Sequence, residues 1–521
     1  MIKALLFLTT VIALLIPYKR ALHMFQQNRY ELHRYQKWII ENIKSIATPM
    51  MLIRFILLSI ILIFSKNNYL MLLVCIVLLL SGLAFYLEEK SKSYIKPLVY
   101  TARVKRQLVV MAMLTILVFL IVWLCKAYWI LPLFVICLGW LLIWPMGLIT
   151  MPIEASIRNK YMNEAKNILK EHSDLIKIGI TGSYGKTSTK NIIQSMISEQ
   201  YNSLMTPASY NTPNGITITI REMLKPIHKV FICEMGADHV GDITELVNLV
   251  HPTIGVVTSI GPQHLQTFGS QENITNEKMQ MIETLQEGGL GVINLDNEFI
   301  RNYTIKNTKA KIVTYGIQSK DADYRAEDIQ YNQNGSTFTV VHNDERIPIE
   351  TKLLGEHNIL NILSAIVCAR ELNTPWETIQ RAAKTMKQVE HRLELKIINQ
   401  RRFIDDAFNS NPVGAKMALD VLSMMPNKRF IVTPGMIDLG KQQETYNKEF
   451  GKQMKDRVDV VILVGKVQTK PIYEGLEEVG FNMDSVYVVD TVKEAFGLVY
   501  AQATPQDTIL LENDLPDAFS H

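Results

Sequence analysis

Lys186, with a glycine before it and three hydroxyl residues after it, is the most chemically loaded position in this chain. It lies in Thr181-Gly182-Ser183-Tyr184-Gly185-Lys186-Thr187-Ser188-Thr189. An apolar run at 176–180 reads as a buried strand. Residues 190–198 place Ile192, Ile193, Met196 and Ile197 at helical spacing. Strand, glycine turn and helix start make an anion cradle. Backbone N–H groups and the positive helix end face the anion, Lys186 adds a point charge, and Thr187 can ligate a magnesium ion riding on phosphates. The longer phosphate loop would need glycine at 180, where Ile stands. The shorter Gly-x-x-Gly-Lys-Thr form here, flanked by strand and helix, points to nucleotide phosphate held by Gly182, Ser183, Tyr184, Gly185, Lys186, Thr187 and Ser188.

Three further clusters follow at the ends of apolar runs. Glu234, in Glu234-Met235-Gly236-Ala237-Asp238, can reach the metal of a bound nucleotide, although alone it would read as an exposed strand-end acid. His264 stands in the Gly/Pro turn Ile260-Gly261-Pro262-Gln263-His264-Leu265, where ligands converge in α/β sheets. Lys278 falls in a helical run at 276–285 and alone reads as a solvated lysine.

In this order the motifs resemble those of the Mur ligase superfamily. The resemblance is strongest to its branch that joins D-alanyl-D-alanine to UDP-N-acetylmuramoyl-tripeptide. It rests also on Asn294-Leu295-Asp296-Asn297, Gly355-Glu356-His357-Asn358-Ile359-Leu360-Asn361, His391-Arg392-Leu393-Glu394 and Asp405-Asp406-Ala407-Phe408-Asn409-Ser410-Asn411-Pro412, and covers about residues 170–470. The resemblance implies an ADP-forming amide ligase using ATP and two Mg²⁺ ions. Lys186 and the glycine loop would hold the phosphates, Thr187 and Glu234 one metal, and His264 and a carbamylated Lys278 the second. Asn297, His357, Asn358 and Asn361 would line the adenine pocket, with Arg392 and Asp406 closing over ATP. Such a set suits the chemistry. A carboxylate is a poor acyl donor, so it first takes a phosphoryl group, whose charge metals and lysine must neutralise.

The elements that must position these residues are strands alternating with helices. Strands are expected near 229–234, 255–259 and 291–295, and again at 402–406, 429–433, 459–464, 485–489 and 508–511. The fold class expected is a P-loop-type parallel-sheet ATPase domain, 151–390, followed by a Rossmann-like closing domain, 391–521. Two departures from the resemblance concern the substrate. No UDP-sugar domain precedes the central domain, and the segment after 508 is acidic where the dipeptide-adding branch is basic. Phe408 stands where that branch usually has tyrosine.

Residues 1–150 are a different material. The chain has 521 residues, 48% of them hydrophobic, and a net charge of only +4, which gives no sign of a nucleic-acid binder. About five apolar stretches approach bilayer length: 2–17, 46–64, 69–87, 108–124 and 128–149. The first has no small-residue cleavage site after it and reads as an anchor rather than a signal peptide. Lys19, Arg20, Arg29, Arg34, Lys37 and Lys44 lie after the first stretch, and Lys90, Lys92, Lys96, Arg103, Lys105 and Arg106 after the third. The other two loops hold only Lys66 and Lys126. The positive-inside rule then puts the catalytic part in the cytoplasm of a multi-pass membrane protein. The basic segment 19–44, with Tyr30, Tyr35 and Trp38, reads as a topology-setting loop, a membrane-surface segment or a holder for an anionic lipid-linked substrate. No cysteine pair has metal or disulfide spacing.

The expectation is a membrane-bound ligase joining an amino acid or short peptide to a carboxylate of a cell-envelope precursor, either UDP-linked or lipid-linked. Asn211-Thr212-Pro213-Asn214-Gly215 is placed to form part of the acceptor site. The alternatives are a poly-γ-glutamate-type ligase, a nucleotide-driven transporter and a non-catalytic scaffold.

Overall fold

The computed structural model describes the chain except residues 1, 65–66, 93, 95–96, 307–308, 333–334, 408–410, 438, 440–441 and 514–521. Lys66, Lys96, Phe408, Asn409, Ser410 and the acidic residues from Asp514 onward therefore lie outside the described residues. The chain divides into two compact units, Met1–Lys160 and Tyr161–His521.

The N-terminal unit is helical. Ile2–Gln27, Asn68–Ser91, Ala102–Leu124 and the stretch Cys137–Glu171 are long and apolar enough to cross a bilayer, and Leu32–Lys44 with Pro49–Phe64 makes a bent fifth candidate. The first helix runs past the expected end at 17 because Pro17 is absorbed within it. Gly139 makes room on the neighbouring helix, where an added Cβ would stand 2.6 Å from Pro17 Cβ. Lys19 and Arg20 thus lie on a helix, not in a loop, and converge on buried Glu89 at 2.8 and 2.9 Å. Arg106 forks onto Glu154 with two 2.7 Å bonds, and the Arg103 guanidinium lies 3.9 Å from the Tyr30 ring centroid. Tyr35 is fully buried against Phe25 and Trp144. Much of the basic and aromatic content read as loop is therefore packed inside this unit.

The second unit contains two sheets. The first joins β1 (Ile176–Thr181), β2 (Ser203–Met205), β3 (Val230–Glu234), β4 (Ile254–Val257), β5 (Leu290–Asn294), β6 (Lys311–Gly316), β7 (Tyr324–Asn332), β8 (Gly335–His342) and β9 (Glu345–Thr351). Their order is β2-β3-β1-β4-β5-β6-β7-β8-β9. β3, β4 and β5 are buried along their whole length, as a parallel sheet with helices on both faces requires. One face packs on the helices Lys186–Ile197 and Glu356–Glu371, the other on Asp242–Val250 and Gln271–Glu283. The chain leaves β1 toward β3 and returns to β4 on the other side. The loops after β1, β3 and β4 therefore meet at a switch point, the place where such sheets bind ligands. The sheet is not parallel throughout: β7, β8 and β9 run antiparallel and displace the strand–helix alternation expected there. Their side chains alternate between buried and exposed, so no apolar run announces them.

The second sheet comprises β10 (Glu394–Ile398), β11 (Arg401–Asp406), β12 (Arg429–Thr433), β13 (Val460–Val464), β14 (Val486–Val489) and β15 (Thr508–Glu512). The order is β10-β11-β15-β12-β13-β14, parallel except for the β10–β11 hairpin.

Candidate functional site

The glycine loop is built so that only glycine serves at two positions. Gly182 has φ +151°, and an added Cβ would stand 2.1 Å from Thr258 Oγ1. Gly185 has φ +82°, with Asn361 Oδ1 2.6 Å from a Cβ there. Thr258, at the end of β4, ties the loop down by donating toward Tyr184 O at 2.5 Å, and Ser183 Oγ bonds both N and O of Gly261 at 3.0 Å. The helix begins at Lys186, earlier than its apolar spacing suggests, because Gly185 serves as its left-handed N-cap. Lys186 Nζ donates to Gly182 O at 2.6 Å and Ser183 O at 3.1 Å. Burial pushes this ammonium below the usual lysine range, while Glu234 and Asp238 oppose that shift.

Glu234 ends β3 fully buried and is the hub of the site. Thr187 Oγ1 lies 3.0 Å from Glu234 Oε2, so the two expected metal ligands meet directly. Lys190 Nζ, 1% exposed, lies 3.0 Å from the same oxygen, and Asn211 Nδ2 donates to Oε1 at 3.1 Å. Lys190 was not foreseen, since a lysine four residues after Lys186 reads as a solvated helix face.

His264, after β4, has a left-handed backbone, and its Nε2 lies 3.2 Å from Asp238 Oδ1. Lys278 is 1% exposed, not solvated, and its Nζ lies 5.9 Å from the Phe268 ring centroid. Burial, helped by the Lys186 charge, brings its pKa down to about 7. The neighbouring Glu277 is spent on structure, accepting the N–H groups of Gly241 and Ile243 at 2.8 and 2.7 Å.

On the other side of the loop is a cavity of about 300 Å³. Of the expected nucleotide residues, Tyr184, Gly185, Ser188, Asn297, His357, Asn361, Arg392 and Asp406 line it, whereas Gly182, Ser183, Lys186, Thr187 and Asn358 do not. Asn358 instead donates to Leu354 O at 2.9 Å. Asn297 reaches the wall with both side-chain ends engaged, donating to Ile260 O and capping Ile300 N. Burial lowers the pKa of His357 to about 4, so its ring is neutral near pH 7. Burial raises Asp406 to about 6 against the pull of Arg392, and lowers Arg392 against the pull of Asp406 and Glu234.

A nucleotide and its metal fit this arrangement. The buried His357 Nδ1 and Tyr184 Oη have no hydrogen-bond partner among the described residues, which suits a neutral heteroaromatic base beside them. A helix N-terminus with a lysine suits phosphate, and Thr187 with Glu234 suits a hard cation. His391, Glu394 and Asp405 also cluster within metal-ligand distance, and Lys396 pairs with both carboxylates there. Its Nζ lies 2.9 Å from Glu394 and 2.7 Å from Asp405.

Comparison with known proteins agrees with this geometry. Residues 180–369 match the Mur ligase middle domain, and residues 391–512 match the domain described as "Mur ligase, glutamate ligase domain". The UDP-N-acetylmuramoyl-tripeptide–D-alanyl-D-alanine ligase of Bacillus subtilis is 30% identical over 354 residues, covering 67% of this chain and 75% of that enzyme. The Escherichia coli enzyme of the same name is 28% identical, covering 56% of this chain and 64% of its own length. In fold, the chain is similar to the MurF ligase of Thermotoga maritima in complex with ADP, with TM-score 0.62, 21% identity, and coverage of 68% of this chain and 80% of that one. MurF of Acinetobacter baumannii gives TM-score 0.61 at 22% identity, covering 68% and 77%. The first of these matches begins after the apolar helices, within β1, and the second begins just before β10. From its two domain matches and its relatives, the chain belongs to the Mur ligase family of ADP-forming acid–amino-acid ligases.

Proposed function

We propose that this chain joins a dipeptide of the D-alanyl-D-alanine kind to the terminal carboxylate of a peptidoglycan-precursor peptide, at the cytoplasmic face of a membrane crossed by its N-terminal helices. ATP would activate the carboxylate as an acyl phosphate, and the dipeptide amine would then displace phosphate. The observation that carries this reading is the meeting of Thr187 and Glu234 at 3.0 Å at the start of the helix that Lys186 opens. The relatives' names supply the substrates. Residues 1–150 would anchor, 151–390 bind ATP and 391–521 close over it.

In this reading Lys186 and the Gly182–Ser188 loop hold the phosphates, and His357, Asn361 and Asn297 border the base. Thr187 and Glu234 hold one Mg²⁺, and His264 with a carbamylated Lys278 holds a second. These metals would supply charge neutralisation for the transferring phosphoryl group. Arg392 brings a guanidinium to the same cavity from the second sheet.

A carbamate on Lys278 needs a neutral amine, because only its lone pair attacks CO₂. With a pKa of about 7 the amine is largely charged below that pH and largely neutral above it. In ¹³C-bicarbonate, a carbamate carbonyl signal should grow as pH rises through about 7 and be missing from Lys278→Arg. A wild-type protein with no such signal at alkaline pH would remove the carbamate from this scheme.

The overall function is tested by depleting the protein and profiling cytosolic and lipid-linked wall precursors by mass, with Lys186→Ala as the inactive control. The expected result is accumulation of a precursor one dipeptide short, whose carrier, UDP or lipid, identifies the acceptor. An unchanged wall pool would sink the peptidoglycan assignment and redirect the search to secreted polymers.

A further inference from the structure

Between β2 and the helix Pro213–Met223 lies a short loop, residues 206–212, whose geometry Lys190 controls. Within it Ala208 has φ +43°, a left-handed conformation that a residue with a Cβ rarely adopts. Such strain persists only where surrounding contacts over-determine it. Here the contact is the Lys190 ammonium, which donates to Ala208 O at 2.6 Å while lying 3.0 Å from Glu234 Oε2. A second tether follows three residues on. Asn211 Nδ2 donates to Glu234 Oε1 at 3.1 Å, and Asn211 O accepts the Gly236 N–H at 2.8 Å. At the loop's start Thr206 Oγ1 accepts the Glu234 N–H at 3.1 Å. Three points of one loop are thus bound to one residue and its successors, the central one, among the described residues, through Lys190.

We propose that Lys190 is a positioning residue: its buried ammonium holds the strained turn at Ala208 against Glu234 and so sets the 206–212 loop as a wall for the carboxylate acceptor. The acceptor itself rests on the reading under Proposed function, and its place at this loop on the cavity of about 720 Å³ that Ala208 and Ser209 line together with Thr187 and Arg392. The positioning itself rests on the geometry. A lysine is suited to the task because one ammonium has three donors, and two of them bond a carboxylate and a backbone carbonyl at once. Methionine fills the same volume and makes neither bond. Arginine keeps the charge on a longer fork.

The test uses the full chain in detergent or nanodiscs, comparing wild type with Lys190→Met and Lys190→Arg. Amide hydrogen exchange in residues 206–212 should rise in Lys190→Met at least tenfold more than that in β1 and β3, which feel only the unpaired Glu234, and fall back partly in Lys190→Arg. With UDP-N-acetylmuramoyl-tripeptide, D-alanyl-D-alanine and ATP, Lys190→Met should raise the KM for the tripeptide at least tenfold and that for ATP less than twofold. Loop exchange equal to wild type, or an increase in β1 and β3 as large as that in the loop, would overturn the proposal, as would an equal rise of both KM values. If the wild-type protein does not turn over that tripeptide, the acceptor assignment falls while the exchange result still decides the role of Lys190.

Discussion

Replacing Lys186 with alanine should lower ATP-dependent turnover by about a thousandfold while the protein still folds. The loss is large because the phosphoryl group in flight carries charge that must be met by fixed cations, and such contributions reach about 10³-fold or more. Lys186 is buried at the helix N-terminus, its ammonium held by two loop carbonyls, so no solvent cation replaces it without reorganisation. The fold survives because alanine suits the first turn of a helix and the carbonyls of Gly182 and Ser183 face the site. The check is steady-state ADP release together with a thermal melt. Turnover within tenfold of wild type would remove Lys186 from the reaction.

Glu234→Ala should be both inactive and unstable, for separable reasons. Activity goes because Thr187 loses the carboxylate that completes its metal-binding pair. Stability goes because Lys190, 1% exposed, is left as a buried charge without its counter-ion. Breaking a buried pair from one side costs about 3–5 kcal/mol. The double variant Glu234→Ala/Lys190→Met removes the stranded charge as well and should recover most of that stability with no recovery of turnover. Denaturant titration of the three proteins reads the first quantity and ADP release the second. A single variant as stable as wild type would show that water reaches Lys190 and that the hub is not dry.

The contrast between Lys186 and Lys190 shows where the chain is readable from its residues alone. Lys186 is announced by neighbours whose types have one common use, glycines in a turn and hydroxyls after a lysine. Lys190 stands one helical turn on, at the spacing of a solvated face. Its burial comes from β3 and the 206–212 loop, which meet it only in three dimensions. Lys278 is the same case: its helix is polar in sequence, and only packing beside Phe268 and the phosphate loop makes its amine buried. Strands buried on both faces, such as β3 and β13, are visible as apolar runs. β7, β8 and β9 are not, because less buried positions interrupt the buried ones along each strand, exposed ones in β7 and β9 and half-buried ones in β8. In the N-terminal unit, charge counts suggested loops where Lys19 and Arg20 are helical, since counting charge takes no account of an acid such as Glu89 waiting across the bundle.

The 300 Å³ cavity takes Gly185, His357 and Asn361 from one sheet's elements and Arg392, Asp406 and Met417 from the other's. A nucleotide held there, as proposed, would be an adhesive as well as a reactant: each contact with one side would strengthen its hold on the other. Saturation at a hundred times its Kd adds about 2.7 kcal/mol to the joined arrangement. On the proposed reaction, handing on the terminal phosphoryl group would thin the glue by those contacts, and the two halves of the site would come apart when the work is done.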